Sequence, residues 1–258
     1  TISSESQQST SVYAANFDTD DPLEVIASTG SRLVLHDFNK ANATWPQDQQ
    51  IEIATDANNA SSIFASDIDS DGSKDVLAGY GNKVVWYKNQ QDQQNQDITP
   101  FSEEQIVVDG SDEVRSVSAA NLDSDPRQEV IAARGNKISW FDFNEDTNSW
   151  DAKDITVDAP GATSVFVTNI GGGSQPDIVA ASTEDTTIRW FENNEDGSSS
   201  EKFSEKIISS NYQNVQSVVA ANLDGDSNVE VAAAEQGQIA IYDDIVSDNP
   251  QLVNSFPL

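Results

Sequence analysis

One phrase occurs five times along the chain and limits the folds that the chain can adopt. Its copies read SVYAANFDTDDPLEVIA, SIFASDIDSDGSKDVLA, SVSAANLDSDPRQEVIA, SVFVTNIGGGSQPDIVA and SVVAANLDGDSNVEVAA. The same anchor position falls at Asn16, Asp67, Asn121, Asn169 and Asn222, so successive copies lie 51, 54, 48 and 53 residues apart. A period near 50 residues is typical of solenoids, propellers and other repeat arrays.

Each unit carries the pattern of four short strands. The anchor is followed by a short strand (EVIA, DVLA, EVIA, DIVA, EVAA) and a turn, and then by a strand ending in aromatics (RLVLHDF, KVVWYK, KISWFDF, TIRWFE, QIAIYD). A polar stretch and a fourth strand complete the unit. Val and Ile dominate these strands, as half-buried strands require. The pattern predicts an all-β protein, a five-bladed β-propeller of four-stranded antiparallel blades that forms one domain over residues 1–258.

Two segments at the chain ends are candidates for the fourth strand of the last blade. They are Thr1–Ser4 and Pro250–Leu258. One of them is expected to complete the last sheet and close the ring, which removes an exposed strand edge. A segment of a longer propeller is the alternative. Residues 1–10 are polar and the chain contains no methionine, so we expect a processed or trimmed form without a signal peptide.

The anchor of the second unit begins an acidic loop. Asp67, Asp69, Asp71 and Asp75 occupy positions one, three, five and nine of this loop, and Gly72 occupies position six. Calcium prefers six to eight oxygen ligands, which a tight acidic loop with a glycine turn supplies. The loop is similar to the first half of an EF-hand but lacks the glutamate at position twelve, and strands flank it. The spacing therefore predicts a calcium loop within a β-hairpin.

Three other units keep the spacing but begin with asparagine, so each has three carboxylates instead of four. Their candidate ligands are Asn16, Asp18, Asp20 and Glu24; Asn121, Asp123, Asp125 and Glu129; and Asn222, Asp224, Asp226 and Glu230. On charge count we expect these loops to bind calcium more weakly than the second. The fourth unit has Gly171 and Gly173 at the acidic positions, so no metal is expected there. The alternative is that all these acidic residues merely favour turns.

The charge balance excludes several classes of partner. The chain has 44 acidic residues against 13 lysines and arginines, a net charge of −31. Binding to nucleic acid depends on basic residues, and so does binding to anionic membranes. The excess acid either binds cations or maintains solubility in high salt, as in halophilic proteins. Without cysteine, and with His36 as its single histidine, one chain forms neither a disulfide nor a multi-histidine metal centre.

The acidic loop, followed by an aromatic strand ending in W-Y-x-N, resembles the FG-GAP or VCBS repeat of integrin-type β-propellers. The resemblance covers all five units, and the absence of a Phe-Gly/Gly-Ala-Pro signature makes the VCBS form the nearer one. It implies calcium loops between the first and second strands of each blade, ligand binding on the opposite face or between blades, and an extracellular location.

Other conspicuous side chains fit structural positions. His36 aligns with Tyr87, Phe141, Phe191 and Tyr242, so it is interpreted as a substitute in an aromatic position rather than a catalytic base. We expect Trp86, Trp140 and Trp190 to pack in the core. We expect Trp45, Phe101, Trp150 and Phe203 to hold the outer strand, with a sugar-stacking role as the alternative for the two tryptophans. The face opposite the calcium loops is expected to present ten residues, which are Asn58, Asn59, Asp112, Glu113, Tyr212 and Gln213, with Tyr80, Arg134, Glu184 and Glu235.

These features favour a non-catalytic, calcium-stabilised extracellular module for adhesion or for recognition of a glycan or cell-surface protein. No nucleic acid partner and no membrane insertion are expected. Two alternatives remain. One is a propeller-type polysaccharide lyase or hydrolase, in which paired carboxylates perform acid–base catalysis. The other is a structural subunit of a cell-surface assembly.

Overall fold

All regular secondary structure in the described part of the chain is β-strand. The computed structural model describes residues 9–18, 23–46, 50–90, 101–156, 158–194, 202–210, 214–235, 237–247 and 250–257. Across those ranges no helix is long and apolar enough to cross a membrane.

The strands fall into five groups of four in chain order. The first group is β1 (Ser9–Ala15), β2 (Glu24–Thr29), β3 (Arg32–His36) and β4 (Ile51–Ala54), and the second is β5 (Ser62–Ser66), β6 (Asp75–Tyr80), β7 (Lys83–Tyr87) and β8 (Gln105–Asp109). The third is β9 (Val114–Ala120), β10 (Glu129–Arg134), β11 (Lys137–Asn144) and β12 (Ser149–Thr156). The fourth is β13 (Ala162–Thr168), β14 (Asp177–Ser182), β15 (Thr187–Asn193) and β16 (Phe203–Ser209). The fifth is β17 (Val215–Ala221), β18 (Glu230–Glu235), β19 (Gln238–Asp243) and β20 (Gln251–Pro257).

Each group forms one four-stranded sheet with its strands in chain order, and this confirms the five-bladed β-propeller. The C-terminal candidate segment supplies β20, which pairs with β19 in the fifth blade. The N-terminal candidate, Thr1–Ser4, lies outside the described residues.

The chain divides into two compact units, Thr1–Ala119 and Ala120–Leu258. The first contains the first two blades and most of β9, and the second contains the remaining strands. The prediction that residues 1–258 form one domain stays a prediction.

The third strand of every blade follows one register, which places equivalent side chains in equivalent positions. His36 lies opposite Val25, as Tyr87 lies opposite Val76 and Phe141 opposite Val130. His36 is only 3% exposed, so the structure confirms that it occupies the aromatic position. The preceding residues Trp86, Trp140 and Trp190 are buried as well, which confirms their interpretation as core residues.

The core of each unit lies between successive blades. In the first unit, Ile26 and Leu35 belong to one apolar cluster with Val76 and Tyr87 of the second blade. In the second unit, Trp140 packs in a cluster with Ile178 and Phe191 of the fourth blade, among others. Valine, isoleucine and alanine recur at these positions because the inner strands pack against a neighbouring blade of the same unit, and the resulting apolar contact stabilises each stack.

Three residues expected on the face opposite the calcium loops are buried instead. Tyr80, Arg134 and Glu235 end the second strands of their blades and are at most 8% exposed. The Tyr80 hydroxyl donates to Glu104, and Arg134 Nε donates to Ser139 Oγ at 3.1 Å. The expectation was wrong because polar side chains at strand ends are here satisfied by neighbours in their own blades, which permits their burial.

Odd and even blades differ in a way that links them in pairs. In the second blade, the side-chain amide of Asn89 donates to the main-chain carbonyl of Phe17 at 2.9 Å, and Phe101 packs edge-on against the Phe17 ring at 6.0 Å. The fourth blade repeats the hydrogen bond on the third, where Asn193 Nδ2 donates to the Leu122 carbonyl at 2.9 Å. Its Phe203 packs edge-on against a different residue of the third blade, Trp140, at 6.3 Å. Each even blade therefore holds the acidic-loop region of the odd blade before it.

Candidate metal centres

A buried carboxylate at position nine holds the loop between the first and second strands in all five blades. It is the first residue of the second strand, and it accepts a hydrogen bond from the backbone N–H at position two. The donor–acceptor pairs are Phe17 N–Glu24 Oε2 (2.6 Å), Ile68 N–Asp75 Oδ2 (3.1 Å), Ile170 N–Asp177 Oδ2 (2.9 Å), Leu122 N–Glu129 Oε2 and Leu223 N–Glu230 Oε2. These residues are at most 3% exposed. The loop is therefore closed by its own side chain.

Position one shapes the turn in four of the loops. Asn121 Oδ1 accepts from Ser124 N at 2.8 Å, Asn169 Oδ1 from Gly172 N at 2.8 Å, and Asn222 Oδ1 from Gly225 N at 2.7 Å. Asp67 accepts from the backbone N–H groups of Asp71 and Gly72 at 3.0 and 2.9 Å. This is the Asx-turn role of asparagine and aspartate. A ligand role for Asn16, Asn121 and Asn222 stays a prediction.

Four of the blades gather carboxylates at this loop. In each group, one candidate ligand atom from every residue lies within 4.8 Å of the others. The groups are Asp18, Glu24 and Asp37; Asp67, Asp69 and Asp71; Asp123, Asp125, Glu129 and Asp142; and Asp224, Asp226 and Glu230. Of the remaining predicted ligands, Asp20 lies outside the described residues and Asp75 lies outside its group.

Two members of these groups, Asp37 and Asp142, were not among the predicted ligands. Each follows the aromatic position of the third strand. Val130 pairs with Phe141, so antiparallel pairing places Glu129 beside Asp142. The sequence signal for these two residues is the recurrence of an aspartate directly after the aromatic position. A carboxylate there lies beside the ninth residue and adds to the loop cluster.

The electrostatics of the third-blade cluster favour a bound cation. Burial, together with the charges of Asp123, Asp125 and Asp142, raises the pKa of Glu129 to about 8, although the Leu122 N–H favours its ionised form. Burial also raises the pKa of Asp125, and the charge of Asp123 adds to this shift. A carboxylate that costs this much to ionise beside its neighbours is stabilised by a nearby divalent ion.

Buried oxygen atoms without hydrogen-bond partners also favour a bound cation. Glu230 Oε1 in the fifth blade and Asp69 Oδ1 in the second are buried and lack a hydrogen bond from any described residue. A buried, unpaired carboxylate oxygen is costly, and coordination to a metal removes that cost. Clustered carboxylate oxygens are the donors that calcium prefers, so these residues fit a calcium ion.

The fourth blade keeps the loop and changes its chemistry. Asp177 and Asn169 hold the turn as in the other blades, and Gly172 adopts a φ of +77°, which favours glycine. A Cβ atom at Gly171 would lie 3.3 Å from Glu192 Oε1. A side chain at this position would therefore require Glu192 to shift by a few tenths of an ångström.

Comparison with known proteins places these repeats in a family. The model of the FG-GAP-like repeat family matches residues 67–132 and 174–233. Each matched segment runs from the loop between the first and second strands of an even blade to the second strand of the next odd blade. A search of curated protein sequences found no significant match.

Among solved structures, the chain is similar to an Agrocybe aegerita lectin described for its specific recognition of non-reducing terminal N-acetylglucosamine. The TM-score is 0.64 and the sequences are 14% identical, so the likeness concerns the fold alone. The match covers 95% of this chain and 65% of the lectin chain. The FG-GAP-like matches and the five four-stranded blades are together consistent with an FG-GAP-repeat β-propeller.

Proposed function

We propose that this protein is a non-catalytic, extracellular binding module that recognises a glycan or protein partner and whose loops are stabilised by calcium. The observation that carries the calcium part is the same carboxylate cluster at the same loop of the first, third and fifth blades. In the fifth blade the buried Glu230 Oε1 has no hydrogen-bond partner among the described residues. Loop turns alone do not explain why carboxylates converge inward.

The clusters of the odd blades join strand and loop. Glu129 begins β10, Asp142 lies on β11, and Asp123 and Asp125 lie in the loop between β9 and β10. A bound calcium ion would supply positive charge that these carboxylates share, and so it would fix the loop against the sheet. An extracellular location fits this role, since millimolar calcium keeps weak sites filled there.

The binding role is supported by the family and by the fold of the lectin. Repeat propellers present several equivalent surfaces on one rigid scaffold, and function is then decided by side chains at a site. The non-catalytic part is supported by the placement of the acids. A metal ion in these clusters would coordinate the same carboxylate oxygens that acid–base catalysis would need.

Thermal unfolding in millimolar calcium and in EGTA, at fixed high sodium chloride, tests the calcium part. A ligand that binds only the folded state at 100-fold over its dissociation constant adds about 2.7 kcal/mol per site. We expect calcium to raise the melting temperature of the wild type. The double variant Asp123→Asn/Asp125→Asn should lose part of that rise.

The matched control is Asp151→Asn/Asp158→Asn, which makes the same charge change at exposed positions. It should keep the full response to calcium. An equal response of both double variants, or no response of the wild type, would assign the acidic residues to solubility alone.

A glycan array and a screen of immobilised cell-surface glycoproteins, both in calcium, test the recognition part. Glycans with non-reducing terminal N-acetylglucosamine belong in the array because the lectin of similar fold recognises them. Binding to a defined glycan or protein is the expected result. Release of products from a polysaccharide, or no binding in either screen, would contradict the proposal.

A further inference from the structure

The residue after the aromatic position of the third strand lies beside the acidic loop, and its charge differs between blades. It is Asp37 in the first blade, Lys88 in the second, Asp142 in the third, Glu192 in the fourth and Asp243 in the fifth. Asp37 and Asp142 add carboxylates to their clusters. Asp243 lines one cavity with Asp224 and Glu230. The second blade alone has a cation at this position.

Lys88 places its ammonium group on the carboxylates of the second loop. Its Nζ lies 2.9 Å from Asp71 Oδ2 and is also paired with Asp69 Oδ2. The Asp69 side chain is 8% exposed, whereas the side chains of Lys88 and Asp71 are 32% and 34% exposed. Its other oxygen, Asp69 Oδ1, is buried without a hydrogen-bond partner among the described residues. The carboxylate is therefore directed into the loop, where the ammonium is its cation.

The ninth carboxylate of this loop is engaged elsewhere. Asp75 Oδ2 accepts from Ile68 N at 3.1 Å, and Asp75 Oδ1 accepts from Asn89 N at 2.8 Å. Asp75 is shorter than the glutamate of the odd blades and lies outside the carboxylate group. The second loop thus offers three carboxylates and an ammonium, whereas the third offers four carboxylates, one of which, Asp142, pairs with Lys153 at 3.0 Å.

We propose that Lys88 is the built-in cation of the second blade and makes its loop independent of calcium. A divalent ion in this loop must either displace the ammonium or lie close to it, and like charges at that distance repel strongly. The loop that resembles an EF-hand most closely in sequence is then the one that needs calcium least. The part of this inference that concerns the odd blades rests on the proposed function, but the part that concerns Lys88 does not.

Replacing Lys88 by methionine tests the inference. Lys88→Met removes the charge and keeps the length of the side chain. The melting temperature of the variant should therefore fall in EGTA and recover in calcium. Isothermal titration calorimetry should find one more calcium ion per chain than in the wild type. Lys88→Gln is the second variant, and it should behave in the same way.

Lys206→Met is the matched control. Lys206 also pairs with a third-strand acid, Glu192, at 3.0 Å, and it lies over the Trp190 ring, but its blade has no acidic loop. It should lose stability equally in calcium and EGTA and leave the calcium stoichiometry unchanged. The same behaviour in Lys88→Met and Lys88→Gln would overturn the inference.

The outcomes also separate this inference from the proposed function. Calcium binding by the wild type with no additional ion in Lys88→Met would overturn the inference and leave the proposed function intact. An additional ion in Lys88→Met with none bound by the wild type would support the inference and contradict the proposed function. If neither protein binds calcium, both are overturned.

Discussion

Asn193 of the fourth blade donates its side-chain amide to the main-chain carbonyl of Leu122 in the acidic loop of the third blade, at 2.9 Å. The two residues are 71 positions apart, and Asn89 makes the equivalent bond to Phe17 across 72 positions. Asn193 is buried, and its own backbone N–H donates to Asp177 at 2.8 Å. One asparagine therefore connects the acidic loop of the third blade with Asp177, which closes the loop of the fourth blade.

Asn193→Ala should lower the free energy of unfolding by about 1–3 kcal/mol, because it leaves the buried Leu122 carbonyl without this donor. The control is Asn194→Ala at the exposed neighbour, which bonds Ser204 at 2.9 Å and should change stability by less than about 0.5 kcal/mol. Urea unfolding measures both. Equal losses in the two variants would show that the Leu122 bond does not contribute.

The blade architecture followed from the sequence because strands alternate and repeat, and burial enforces that pattern locally. The pairing of each even blade with the odd blade before it did not follow from the sequence. Asn89 and Asn193 end the phrases WYKN and WFEN, and these phrases are absent from the odd blades. The difference was visible, but its meaning depends on a contact some 70 residues away, which no local pattern encodes.

Gly79 lies where two first-unit strands approach closely. A Cβ atom there would lie 2.6 Å from Val114 Cγ1 and 3.2 Å from Val117 Cγ1. Gly79→Ala should therefore cost about 1–3 kcal/mol from overpacking. Val114→Ala should also destabilise, since it removes buried methyl groups.

The double variant Gly79→Ala/Val114→Ala decides whether the clash is the cause. Removing the Val114 methyl groups makes room for the new Cβ, so the double variant should be more stable than the sum of the two single losses implies, by about 1 kcal/mol. Thermal or urea unfolding of the four proteins completes the cycle. Simple additivity would contradict the steric explanation.

Arg189 forms a buried polar network inside the fourth blade. Its guanidinium donates to Glu205 at 2.8 Å, to Ser182 Oγ at 3.2 Å and to the Asp158 carbonyl at 3.0 Å, and it pairs with Asp185. Arg189→Met should cost about 1–3 kcal/mol, because the buried Ser182 Oγ and the partly exposed carboxylates of Asp185 and Glu205 lose their donor.

Two further variants show whether geometry or charge matters in this network. Arg189→Lys keeps the charge but loses the planar donor group, so its loss should be intermediate. Arg115→Met removes a more exposed arginine, paired with Glu113 at 3.1 Å, and should cost at most about 1 kcal/mol. Similar losses in Arg189→Met and Arg115→Met would contradict the network's role.

The acidic loops could be identified from spacing, whereas the charge placed on each loop by the third strand could not. Lys88 and Asp142 occupy the same repeat position, yet Lys88 offsets part of the negative charge of its loop and Asp142 adds to it. Position within a repeat indicates that a side chain lies near the loop. The identity of the side chain decides its chemistry, and a charge count within the loop leaves Lys88 out.

Glu235 is a buried carboxyl group outside the acidic loops, and it makes the stability of the fold depend on pH. Glu235 is 2% exposed, and Tyr242 donates to its Oε1 at 3.2 Å. Burial, the largest cause, raises the pKa of Glu235 above its ordinary value despite this hydrogen bond. The folded state then binds a proton that the unfolded state releases above about pH 4.3. The stabilising effect of that proton is present at low pH and is lost as the pH rises through the raised pKa.

Glu235→Gln mimics the protonated group at every pH, so its stability should gain on that of the wild type as the pH rises from about 5 to 8. Melting temperatures in EGTA across this range measure the gap, without interference from calcium binding. Glu113→Gln, whose parent side chain is 67% exposed, is the control and should keep a constant gap. A gap for Glu235→Gln that stays constant or narrows with rising pH would show that Glu235 is ionised in the folded protein, with the Tyr242 hydroxyl sufficient to stabilise its charge.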